Sequence, residues 1–144
     1  MMGEFEAHFP IDRLYARNHM WARAGDVGYQ FGFSAYAVRL LQDVYFLDWE
    51  LEPPLEIVAK QEMGCIESKK AESSIYAPAS GTLVEFNQEL MKDPSAINVD
   101  KYEKGWLFRL NVSNPDFLTA KEYTDYLDCV WQEAQKTIKG QMNQ

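Results

Sequence analysis

The turn residues of this chain cut it into short pieces, which limits it to a fold of short strands. Gly25-Asp26, Glu52-Pro53-Pro54, Pro78, Ser80-Gly81 and Pro94 each interrupt the chain before a β-prone stretch grows long. Leu14 to Phe33 reads as a hairpin folded at Gly25-Asp26. Val44 to Leu51, Glu56 to Lys60, Met63 to Glu67, Ser73 to Tyr76, Thr82 to Phe86 and Gly105 to Val112 read as further strands. Helical signals are sparse. Ser34 stands as an N-cap before Ala35 to Leu41, and Asn87 caps a single turn over Gln88 to Met91. Near the end, Thr119 and Glu122 form a capping box, and Tyr123, Tyr126, Leu127, Val130, Trp131, Ala134 and Ile138 recur at helical spacing. The spacing predicts an amphipathic helix over 119–139 whose stripe packs on the sheets. Residues 1–12 show no period and read as an N-terminal extension, leaving 13–144 as a single domain. The fold class is therefore an all-β-dominated sandwich with short peripheral helices and a C-terminal amphipathic helix.

Charge narrows the partners. The 144 residues carry a net charge of −8, which argues against nucleic acid because phosphate binding needs a basic face. An acidic surface suits docking onto complementary protein partners. No apolar run approaches the length of a membrane span and no signal segment opens the chain, so a cytoplasmic protein that does not bind membranes is expected. Cys65 and Cys129 read as two reduced thiols, with a redox role for Cys65 as the alternative. His8 and His19 lack ligand spacing to any partner, so no metal is expected.

Enzyme constellations are missing from the sequence: no glycine-rich phosphate loop, no GxSxG elbow and no nucleophile–base pair. No catalytic residue is assigned. One segment is distinctive, from Gly64 to Gly81, where two strand-like stretches flank the polar centre Glu67-Ser68-Lys69-Lys70-Ala71. A hairpin there puts both lysines in solvent. Such a tip is either a solvated turn or the attachment point of a carrier, where a cofactor on a long side chain gains effective concentration at partner sites.

Glu67-Ser68-Lys69-Lys70-Ala71, followed by Tyr76-Ala77-Pro78-Ala79-Ser80-Gly81, resembles the lipoylation motif of the glycine cleavage H proteins, relatives of the lipoyl and biotinyl domains. His19 with Trp21, Gly32 with Ser34, Tyr36-Ala37, Asp43-Val44, Asn87, Leu90, Pro94, Asn98 and Gly105-Trp106-Leu107 extend the resemblance in order along most of the chain. It implies a lipoyl/biotinyl-type barrel-sandwich hybrid. It also implies covalent lipoate on Lys70, with Glu67 helping a lipoylating enzyme recognise the tip, and a non-catalytic carrier whose chemistry belongs to the cofactor. Biotin fits less well, because Lys69 and Ala71 replace the methionines that bracket a biotinyl lysine.

Departures from the H-protein pattern imply a branch. Family members carry carboxylates, able to hold a cationic amine, at the positions of Met20 and Ser74. Restoring them at both positions is expected to improve service in glycine cleavage. Gln42 to Trp49 and Asp93 to Asp100 are similar to the lipoate-binding proteins of the heterodisulfide-reductase-like sulfur-oxidation system. That resemblance implies a carrier between sulfur-oxidation enzymes that serves glycine cleavage poorly. The alternatives are a glycine cleavage carrier working with glycine decarboxylase, aminomethyltransferase and dihydrolipoamide dehydrogenase, or an H-like scaffold whose lysine stays unmodified.

Overall fold

The computed structural model describes residues 9–130. Strand β1 (Leu14–Tyr15) leads into a hairpin of β2 (Met20–Ala24) and β3 (Tyr29–Phe33), paired from Met20↔Phe33 to Ala24↔Tyr29. The turn closes with Gly25 N–H donating to the Gly28 carbonyl at 2.9 Å. Gly28 holds φ of 65°, and a Cβ there would lie 2.5 Å from the Leu110 carbonyl oxygen, so only glycine fits. Helix α1 (Ala35–Leu41) begins where Ser34 caps the Ala37 amide, as the sequence predicts.

The chain then crosses to a second sheet through β4 (Val44–Trp49), returns in β5 (Leu55–Ile57), and forms the hairpin of β6 (Glu62–Ser68) and β7 (Glu72–Tyr76). Strand β8 (Gly81–Phe86), helices α2 (Gln88–Lys92) and α3 (Ala96–Val99), and strand β9 (Phe108–Val112) follow. Two sheets result: a six-stranded one ordered β1-β2-β3-β9-β8-β5, and a three-stranded one ordered β4-β6-β7. Phe31, Leu83, Phe108 and Leu110 from the first meet Leu47, Met63, Ile66 and Ile75 from the second in one core. Each such side chain contributes about 1.5–3 kcal/mol on burial. This is the expected β-dominated sandwich.

Two differences from the sequence reading have local causes. The last strand starts at Phe108 rather than Gly105, because Gly105 is packed against Ala96 and Ile97, where a Cβ would come within 2.8 Å of the Ala96 carbonyl oxygen. Helix α3 was not expected. It is a single turn after Pro94, with no side-chain cap, so it carries no sequence signature.

Residues 120–130 are helical (α4), and Thr119 and Glu122 exchange the hydrogen bonds of a capping box. Trp131, Ala134 and Ile138 of the predicted stripe lie outside the described residues. Tyr123 and Leu127 bury themselves with Tyr15 and Trp21 in a second cluster. Tyr123 stacks on Tyr15 at 4.8 Å, while Phe9, inside the segment read as an extension, sits edge-on to both rings. The Tyr123 hydroxyl lies 2.9 Å from His19 Nδ1 and 3.0 Å from Ser34 Oγ, tying α4 to the loop before β2 and to the cap of α1.

His19 is largely enclosed there, and burial lowers its pKa below the usual 6.5. The unfolded chain therefore binds the proton more readily, and the stability His19 contributes is present above that value and shrinks as pH falls through it. Urea unfolding should give a lower stability at pH 5.5 than at pH 7.5, and His19→Gln should reduce the difference. An identical pH dependence in the variant would contradict this assignment.

Candidate functional site

The β6–β7 hairpin carries the lysines. Glu67 pairs with Glu72, and the turn closes as Ser68 N–H donates to the Ala71 carbonyl at 2.8 Å. Ser68 is buried; its hydroxyl donates to the same carbonyl at 3.1 Å and accepts the Ala71 N–H at 3.2 Å. Lys69 and Lys70 are the two residues left between, both exposed, and neither has the positive φ seen at His19, Gln42 and Lys60. The turn is thus held by the serine side chain and not by glycine.

A second brace comes from the residue just before β4. Lys69 N–H donates to the Asp43 carbonyl at 2.8 Å. Asn98 on α3 fixes that segment in turn: its Oδ1 accepts the Val44 N–H at 2.9 Å and its Nδ2 donates to the Gln42 carbonyl at 2.6 Å. Asn98→Ala should leave both backbone groups short of a partner, costing about 1–3 kcal/mol. Thermal unfolding would read that loss, and hydrogen exchange at the Lys69 amide should speed up. Unchanged exchange would mean that Asn98 does not brace the tip.

Lys70 is exposed and forms no ion pair with any described residue, at the end of a turn closed by hydrogen bonds. That is the geometry an acylated carrier lysine needs: a fixed backbone under a free side chain. Lipoate would join through an amide to Lys70 Nζ, and Ser68, Asp43 and Asn98 would hold the attachment point still. Glu67 sits three positions away, half-buried at its rung, with Phe46 of β4 on one side and Glu72 on the other. The hairpin thereby brings Glu67 and Lys70 to one end of the smaller sheet.

Other residues singled out in the sequence fall in different places. Cys65 lies on the outer side of the same sheet, paired with Asp48 and Ser74. Burial and then the carboxylates of Asp48, Glu50, Glu67 and Glu62 push its thiol pKa up, which disfavours the thiolate a redox role needs. Cys129 is exposed and unpaired, and no candidate metal cluster exists among the described residues. Met20 is 2% exposed within the main core, so a carboxylate restored at that position would have no access to a cofactor arm. Ser74 differs again: its hydroxyl donates to the Glu62 carboxylate from the neighbouring strand. An acid is therefore present beside position 74 after all, supplied across the sheet where sequence spacing gives no hint of it.

Comparison with known proteins gives the family. Residues 13–129 match the glycine cleavage H-protein family. The chain is 37% identical over 123 residues to a glycine cleavage system H protein of Rubrobacter xylanophilus, covering 85% of this chain and 97% of that one. It is 35% identical over 126 residues to glycine cleavage system H protein 4 of Aquifex aeolicus, covering 85% and 73%. The crystal structure of a glycine cleavage system H protein from Mycobacterium marinum superposes with a TM-score of 0.72 at 32% identity, over 83% of this chain and 99% of that one. The chain belongs to the glycine cleavage H-protein family, whose members are non-catalytic lipoyl carriers.

Proposed function

We infer that Lys70 carries covalent lipoate and that the protein shuttles the loaded arm in glycine cleavage, between glycine decarboxylase, aminomethyltransferase and dihydrolipoamide dehydrogenase. The observation that carries this inference is the exposed Lys70 amine on a tip braced by Ser68, Asp43 and Asn98. The bound group would supply a disulfide that accepts a cargo and electrons at one enzyme and yields them at the next. The protein's own residues hold its root, offer Glu67 to the lipoylating enzyme and present a docking surface.

Two observations support glycine cleavage over sulfur oxidation. The relatives described above all bear the glycine cleavage name. The Glu62 carboxylate accepts a hydrogen bond from Ser74, so an acid lies beside position 74, where family members carry one. The sulfur-oxidation reading, in which the partners are heterodisulfide-reductase-like enzymes, is supported by the likeness of Gln42 to Trp49 and Asp93 to Asp100 to that branch.

The two readings part in a simple assay. Lipoylated protein is mixed with glycine decarboxylase and aminomethyltransferase, and glycine-dependent carbon dioxide release is followed. Turnover comparable with an ordinary H protein is expected. A lipoylated protein that dihydrolipoamide dehydrogenase reoxidises but glycine decarboxylase ignores would move the assignment to sulfur oxidation.

A further inference from the structure

An edge strand offers its unpaired backbone groups to any strand that comes alongside, so folded proteins blunt their sheet edges. Three of the edges here are blunted in plain ways. At β1, Tyr15 and Leu118 exchange both backbone hydrogen bonds at 2.7 Å. Strand β5 is only three residues long and follows Pro53-Pro54. At β4, Asn98 Oδ1 accepts the Val44 N–H. Strand β7 is the fourth edge. It runs five residues, Glu72–Tyr76, pairs with β6 alone, and contains neither proline nor lysine. The irregularity of its ladder falls between Glu62 and Gly64, on β6.

The backbone direction along β7 follows from its two ends. The Ala71 carbonyl accepts the Ser68 N–H at 2.8 Å, while Ala77 donates to the Gln61 carbonyl and accepts from the Lys60 N–H, both at 2.9 Å. Antiparallel bonding alternates from residue to residue, so the N–H and carbonyl groups of Glu72, Ser74 and Tyr76 point away from β6. Two of those three carbonyls are engaged by side chains. Asn18 Nδ2, from the loop before β2, donates to the Tyr76 carbonyl at 3.1 Å, and Ser73 Oγ donates to the Ser74 carbonyl at 3.1 Å.

The strand is otherwise complementary to itself. A second β7 laid antiparallel with Ser74 opposite Ser74 sets Glu72 against Tyr76 at each end, so no like charges face each other. Such a pair would bond through the outward groups of residues 72, 74 and 76, and the carbonyls of the latter two are the engaged ones. We propose that Asn18 and Ser73 guard the β7 edge, and that the partner they keep off is a second copy of this chain. The guard leaves the strand behind the Lys70 tip unpaired, whether or not Lys70 is modified.

The test is the association state of the full chain. Asn18→Ala and Ser73→Ala are combined, and Ser113→Ala with Asn114→Ala removes the same chemistry at exposed positions outside β7. Sedimentation equilibrium is run at low and high salt, because a net charge of −8 on each copy opposes any dimer until it is screened. At high salt the guard variant should associate toward a dimer with a constant at least about tenfold above wild type, and the control should match wild type. Amide hydrogen exchange at Ser74 and Tyr76 should slow with protein concentration in the variant and stay fast at every concentration in wild type. Asn18→Ala alone should shift the same way to a smaller extent, so that a folding defect in the double variant does not hide the effect. Variants as monomeric as wild type, association without slower exchange at Ser74 and Tyr76, or a wild type that associates as strongly as the variant would each overturn the guard.

Discussion

Lys70→Arg should eliminate lipoylation and all carrier activity while leaving the fold intact. Arginine keeps the positive charge but offers no amine that forms the amide. The side chain is exposed and makes no ion pair with a described residue, so its replacement should change stability by no more than about 0.5 kcal/mol. Intact mass after incubation with a lipoylating enzyme should show no added group, and glycine-dependent turnover should vanish. Lys69→Arg should be modified normally, because Lys69 N–H is tied to Asp43 and its side chain stands one position out of register. Modification persisting in Lys70→Arg would place the attachment on another lysine.

Met20→Glu should be the most damaging substitution for the fold. Met20 lies at the start of β2, paired with Phe33 and enclosed by the apolar core, with no cation beside it. A carboxylate there must either ionise without a partner or take up a proton, at a cost on the order of 3–5 kcal/mol. That is a large share of the roughly 5–15 kcal/mol that stabilises an ordinary domain. Chemical denaturation should show the loss directly, with Met20→Leu nearly neutral as the control. The expectation that acids at positions 20 and 74 would together improve glycine cleavage therefore fails at position 20. Full stability in Met20→Glu would mean that this side chain reaches solvent after all.

The contrast between Met20 and Ser74 shows what the sequence could and could not convey. Strand and turn chemistry is local, so Gly25-Asp26, the caps at Ser34 and Asn87, and the Thr119–Glu122 box were all legible from residue type and spacing. Pairing across strands is not local. Glu62 meets Ser74 only because the β6–β7 register brings them together, and the Glu67–Glu72 opposition has the same origin. Asn98 was visible in the family resemblance, yet its work on Gln42 and Val44 spans more than fifty positions of sequence. Helix α3, which carries it, is a single turn too short to leave a period. The lysine tip was legible because a hairpin end is fixed by a few adjacent residues. Its bracing was not, because the brace comes from the segment leading into β4 and from helix α3.

The most direct measurement is peptide mass mapping of the protein after expression in cells that lipoylate their carriers. Lipoate should be found on Lys70 and on no other residue, in protein whose unfolding is otherwise that of the unmodified form. A protein that remains unmodified under conditions where an ordinary H protein is fully lipoylated, or that carries the group on Lys69, would contradict the assignment of Lys70 as the carrier lysine.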